Sequence, residues 1–123
     1  MKQIEAVIKR EKFPEVDGAL RKIGVGGLTV TEAMGRGRAT EIEKINIRGS
    51  WEFTHEFIRR IIISLVVEDE DVQSVVDTIV SSASTKSVGD GRIFVIPIEK
   101  SIDIGSGEMD TDAVLDISRS GAK

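Results

Sequence analysis

The chain alternates between two hydrophobic periods in a fixed order, and that order limits its fold more than any other feature. In "QIEAVIK", residues 3–9, every second position points one way. Ile4, Ala6 and Ile8 share one side, and Glu5, Val7 and Lys9 the other, which predicts a strand. "FPEVDGALRKIG", 13–24, changes to helical spacing at Val16, Ala19, Leu20 and Ile23, with Pro14 suited to a first turn and Gly24 to the position past the end. Gly18 inside it costs about 1 kcal/mol relative to alanine, so this helix depends on packing. "GLTVTEAM", 27–34, returns to alternation with β-branched Thr29, Val30 and Thr31. "FIRRIIISLVV", 57–67, is a longer strand with Ile61, Ile63 and Leu65 on one side. It is apolar on both sides at its end, as a central strand would be. "EDEDVQSVVDTIVSSAS", 68–84, is the strongest helix, striped by Val72, Val75, Val76, Ile79, Val80 and Ala83. Its opening acids, Glu68 to Asp71, complement the helix dipole. "RIFVIPI", 92–98, is a fourth strand with Pro97 near its end. The residues from about 99 onward read as polar and irregular.

Strand–helix–strand, twice over, predicts an α+β fold. The arrangement is ferredoxin-like, βαββαβ: an antiparallel four-stranded sheet with two helices on one face. The length, 123 residues, suits one such domain and one core. Two helices leave a sheet face bare, and Val7, Val30, Ile62 and Val66 are expected there. Self-association would cover them, so an oligomer is expected.

Composition removes several classes of function. The net charge of −4 argues against bulk attraction to nucleic acid or anionic lipid. The absence of cysteine excludes disulfides and thiolate metal sites, and one histidine makes a zinc site unexpected. No apolar run is long enough for a membrane span, and charge interrupts "MKQIEAVIKREK" where a signal peptide would be apolar; a cytoplasmic protein is expected.

No catalytic constellation is visible. Acyl transfer needs a nucleophile beside a base. The lone His55 lies in a long connection and reads most plainly as solvated. The "EDED" run could hold a cation, but acids that open a helix ordinarily serve its dipole. Glycines say more. "GRGR", 35–38, and "GDGR", 89–92, each lie where a strand meets a loop and each end in arginine. Glycine lets backbone N–H groups approach an anion, and guanidinium binds phosphate, so the pair suggests an anion site; either alone could be a plain turn.

Several stretches together resemble the PII signal-transduction family. "TKSVGDGRIFV", 85–95, is similar to its glycine signature. "MKQIEAVIK", "GGLTVTEAMGRGR" and "SLVVEDEDVQSVVDTIV" follow its strands and helix in order, and "GSGEMDTDAV" resembles its end. The likeness spans residues 1–114, as one PII-like domain; 115–123 is an extension and a candidate for disorder.

The resemblance implies a homotrimeric regulator, not an enzyme. It implies adenine nucleotide (ADP, AMP or ATP) in the clefts between subunits. It also implies a docking loop, the T-loop, at about 36–57. Targets would be an ammonium or other transporter, at the inner face of the membrane, or a metabolic enzyme. Gly27, Leu28 and Thr29 match the segment around the adenine, and Val66 a residue of the base pocket. Gly35, Gly37 and Arg38 match the T-loop start. Gly89, Asp90, Gly91 and Arg92 match the loop that cradles phosphates. Arg60 stands where the family's lysine pairs with 2-oxoglutarate.

Departures from the family pattern alter the expectation. Ala39 replaces the glutamine that helps to hold Mg and 2-oxoglutarate. Asp103 and Gly105 replace two arginines that contact the outer phosphates, while Arg36 adds a charge where phenylalanine is usual. Exchanging arginine for aspartate turns attraction into repulsion, so ADP or AMP, and little 2-oxoglutarate sensing, are expected. An alternative is a PII-like sensor of another small anion, such as bicarbonate, in carbon uptake; a ligand-free structural oligomer is a third reading.

"EKINIRGSWEFTHEF", 43–57, would then be the middle of the T-loop. The chain has no tyrosine, so the uridylylation known in the family cannot occur here. "RGS", Arg48 to Ser50, matches the form in which some relatives carry a phosphorylatable serine. Trp51 is a candidate partner anchor, since interface anchors are enriched in tryptophan.

Overall fold

A computed structural model of the chain describes residues 1–36 and 57–110. Four strands form one sheet: β1 (Lys2–Lys9), β2 (Thr29–Arg36), β3 (Phe57–Val67) and β4 (Gly91–Pro97), in the order β2-β3-β1-β4. All three pairings are antiparallel. Helix α1 (Phe13–Lys22) connects β1 to β2, and α2 (Val72–Ala83) connects β3 to β4. This is the ferredoxin-like topology that the alternating periods predict.

The core lies between the sheet and the helices. Ile4, Ala6 and Ile8 of β1 and Ile61, Ile63, Leu65 and Val67 of β3 are buried against Val16 and Leu20 of α1 and Val75, Ile79 and Ala83 of α2. Each fully buried branched side chain contributes on the order of 1.5–3 kcal/mol of apolar transfer, so this layer carries the fold. The double-sided apolarity of β3 has its expected cause: it is an interior strand, between β2 and β1. Pro97 is tolerated because β4 is an edge strand.

Three sequence expectations shift. Strand β2 starts at Thr29 and runs to Arg36, two residues later than expected, because Gly35 and Arg36 continue the ladder against Ile58 and Phe57. Val30 is not on the bare face. It pairs with Ile63, whose side chain is in the core, so Val30 shares the helix side at an edge the helices do not reach. Val80 belongs to the helical stripe but is half exposed, because α2 does not cover edge strand β4. The bare face carries Val7, Ile62 and Val66, as expected, together with Phe94 and Ile96 of β4.

The residues after β4 are less irregular than their composition suggests. Ile102 bridges Met109, and Asp103 closes the turn between them. Its carboxylate accepts the Ser106 N–H at 2.8 Å, and its carbonyl accepts the Gly107 N–H at 2.7 Å.

Gly18 has nothing within 4 Å of where a Cβ would stand. Gly18→Ala should therefore stabilise the domain by about 0.5–1 kcal/mol through helix propensity alone, read as a higher urea midpoint at unchanged slope.

Candidate anion-binding site

The chemistry gathers at one end of the sheet, where β2 ends, β3 begins and the 84–90 turn delivers the chain into β4. Gly91 makes that delivery possible. Its φ is +135°, and a Cβ there would stand 2.0 Å from the Val7 carbonyl oxygen. Only glycine lets β4 enter this close to β1, where Gly91 pairs with Ile8.

The turn is organised by Asp90. Its carboxylate accepts the Thr85 hydroxyl and the Thr85 N–H, each at 2.6 Å, and the Ser87 N–H at 3.2 Å. Lys9 Nζ stands 3.2 Å away. Hydrogen bonds from the Thr85 hydroxyl first, then from the Thr85 and Ser87 backbone, hold the Asp90 carboxyl well below the ordinary aspartate value of 3.8, with Lys9 adding to this. A carboxyl lowered on folding stabilises the native state above its unfolded value, and that stabilisation is lost as pH falls through the folded one. The turn should therefore loosen only in acid, below pH 3.8. At neutral pH, Asp90→Asn keeps the size but sets an amide against these donors. It should raise hydrogen exchange at Thr85 and Ser87 by about tenfold while leaving the sheet amides protected.

Arg60 approaches the same turn from β3. It is the only buried charged residue among those described, at 8% exposure, and its Nη1 donates to the Gly89 carbonyl at 2.8 Å. Arg36, Arg60 and Arg92, with Gly35, Val7, Phe94 and the 87–91 backbone, line an open cleft of about 550 Å³. Asp90 is the one acid among the described residues that line it and is offset by Lys9. A chain of net charge −4 thus brings three of its described guanidinium groups beside the 89–91 glycine turn, an arrangement that can attract and bind an anion. A second cleft, about 600 Å³, lies between α2 and β4 and is mostly apolar, lined by Val76, Ile79, Val80, Val88 and Ile93.

The residues predicted for a nucleotide site fall into two groups. Gly35, Gly89, Asp90, Gly91 and Arg92 meet at the cleft. Thr29 and Val66 do not. Their partners, Ser64 and Gln3, set them toward the other end of the sheet, with Thr29 about 20 Å along β2 from Gly35. Gly27 and Leu28 precede β2, and Leu28 packs against the core. Gly37, Arg38, Ala39, Arg48, Ser50, Trp51, His55 and the 115–123 extension lie outside the described residues. Asp90 holds the turn with both carboxylate oxygens. Two features escape sequence reasoning: the Arg60–Gly89 bond and the Lys9–Asp90 pair. The Thr85-x-Ser87 pattern ahead of Asp90 hints at neither, but it is a local sign that Asp90 accepts from its own turn, since such hydroxyls commonly bond a nearby aspartate.

The family model for nitrogen regulatory protein P-II matches residues 1–108. The chain belongs to the P-II family. Relatives agree along nearly its whole length. The nitrogen regulatory protein P-II of Microchaete diplosiphon is 43% identical over 114 residues, covering 93% of this chain and 100% of the relative. That of Rhodospirillum rubrum is 44% identical with the same coverage. Nitrogen regulatory protein P-II 2 of Methanothermobacter thermautotrophicus is 43% identical, covering 93% of this chain and 97% of the relative. The P-II frame makes this a signalling regulator in class. The "TKSVGDGR" stretch whose likeness suggested the family is the turn to which Asp90 and Arg60 hydrogen-bond. No helix of the described residues is long and apolar enough to cross a membrane.

Proposed function

We propose that this P-II protein is a homotrimeric regulator, without catalytic activity. It binds an adenine nucleotide, ADP or AMP in preference to ATP, between subunits, and it controls a partner of nitrogen metabolism or transport through residues 36–57. The observation that carries this reading is the cleft that joins Arg36, Arg60 and Arg92 to the 89–91 backbone.

The split of the site residues supports the placement between subunits. Thr29 and Val66 are too far along the sheet to meet a ligand held at Gly89 of the same chain, whereas a neighbouring copy can bring its own pair to that cleft. The bare sheet face, with Val7, Ile62, Val66, Phe94 and Ile96, supplies apolar surface for such an assembly.

Asp103 supports the preference for fewer phosphates. At the position where the family pattern has arginine, its carboxylate is spent on the Ser106 N–H, so the residue builds its own turn and offers no cation. With Ala39 in place of the usual glutamine, the chain also lacks that side chain for Mg and 2-oxoglutarate.

Titration calorimetry with AMP, ADP and ATP, each with and without Mg and 2-oxoglutarate, tests the reading. Tightest binding of ADP or AMP, with little response to 2-oxoglutarate, is the expected result. Strong Mg-dependent synergy between ATP and 2-oxoglutarate would sink the proposed preference, and no binding of any nucleotide would sink the site.

A further inference from the structure

We infer that Arg60 is a positioning residue, whose guanidinium fixes the Gly89 carbonyl and so sets the shape of the turn that faces the anion. The P-II resemblance implied a cation here that receives 2-oxoglutarate; in this chain the group is already engaged by its own backbone.

Three observations meet at this side chain. It is buried to 8% exposure, and Nη1 reaches Gly89, 29 residues along the chain, at 2.8 Å. Its stem lies beside the other glycine–arginine motif, since a Cβ on Gly35 would stand 3.7 Å from Arg60 Cγ. The register sets it between Ala33 of β2 and Lys9 of β1, so its Cα is fixed by two ladders. One residue therefore ties the end of β2 to the turn that enters β4.

The electrostatics point the same way. Among the described residues Arg60 forms no ion pair; Asp90, the acid lining the cleft, turns to Lys9. Among the described residues the guanidinium has one neutral carbonyl and no acid, so its charge stays available on the cleft side for an anion to pair with. Guanidinium carries five N–H donors in a rigid fork, and Gly89 uses one. The same group can hold the turn and still face the cleft it lines. Binding an anion then acts directly on the bond that shapes the turn.

The test uses the full chain without ligand, comparing wild type with Arg60→Met and Arg60→Lys by amide hydrogen exchange. Arg60→Met should speed exchange across residues 85–92 by about tenfold while residues 61–66 of β3 keep their protection. Arg60→Lys should recover most of the loss, because Nζ can reach the carbonyl. Unchanged exchange at 85–92, or a loss spread evenly over the sheet, overturns the inference. Should Arg60→Met fail to fold, wild-type NMR decides: a hydrogen-bond coupling between the Arg60 side-chain nitrogen and the Gly89 carbonyl carbon supports it, and absence of that coupling overturns it.

One arm rests on the nucleotide reading. ADP affinity should fall by about tenfold in Arg60→Met and less in Arg60→Lys. If wild type binds no ADP, the nucleotide reading fails, and the ligand-free exchange still decides the role of Arg60.

Discussion

Gly91→Ala is expected to cost on the order of 3–5 kcal/mol, a large share of the stability of a domain this size. Two causes add. The φ of +135° is a region that side chains other than glycine rarely adopt, a strain of about 1–3 kcal/mol. The added methyl would also meet the Val7 carbonyl oxygen at 2.0 Å and the Val7 carbonyl carbon at 3.1 Å. Both are backbone, so no rotamer change relieves the contact. Relief requires β4 to move away from β1, which breaks the edge pairing from Ile8–Gly91 downward. Chemical denaturation should show a much lower midpoint. Native-state exchange should show β4 opening first, while the β1–β3 and β2–β3 ladders persist. A variant as stable as wild type would mean that the close approach of β4 to β1 is not required. Gly18→Ala is the matched control, the same methyl placed in open space.

Arg92→Glu is expected to lower ADP affinity by about 100-fold with the fold intact. Arg92 is exposed on edge strand β4, opposite Val7, so exchanging it should change stability by less than about 0.5 kcal/mol. Its effect is on the cleft, where it is one of three arginines among the described residues. A hydrogen bond between charged groups contributes about 1.5–3 kcal/mol, and reversal adds repulsion, so a loss on the order of 3 kcal/mol follows, or about two decades in affinity. Arg92→Lys keeps the charge and should lose much less. Calorimetry at two salt concentrations separates the cases. Unchanged ADP affinity in a folded Arg92→Glu protein would remove the phosphate role from the 89–92 turn.

The legible part of the fold was the part encoded locally. Period-2 spacing in 3–9 and 57–67 put Ile4, Ala6, Ile8, Ile61, Ile63 and Leu65 on one side, and all six are buried. Helical spacing in 13–24 and 68–84 found Val16, Leu20, Val75, Ile79 and Ala83. These patterns need no partner to be read, because a side chain's face follows from its position along its own element. Where a face depended on a neighbour, the reading failed. Val30 was set on the bare face, but its side follows from its pairing with Ile63. Val80 lay on the right stripe, yet it is half exposed because no described element packs over it at the β4 edge.

The candidate site divides in the same way. The 89–92 glycine turn and its arginine were visible as a motif, since left-handed backbone and close approach leave glycine as their mark. Asp90 was visible as a letter of the signature, but its task was not. It was expected as part of the loop that cradles phosphates, and within that loop its carboxylate holds Thr85, Ser87 and Lys9. Asp103 looked like a lost cation and is also the closure of a turn.

The sequence by itself determined the order of elements, the two faces of each, the likeness to the P-II family and the excess of arginine beside glycine. Each follows from spacing along the chain. Only the tertiary structure decided that Arg60 reaches Gly89 and that Lys9 reaches Asp90. It also decided that Thr29 and Val66 lie toward the opposite end of the sheet from the cleft. Those relations depend on strand order and register, which place residues dozens of positions apart in contact, and no local periodicity carries that information.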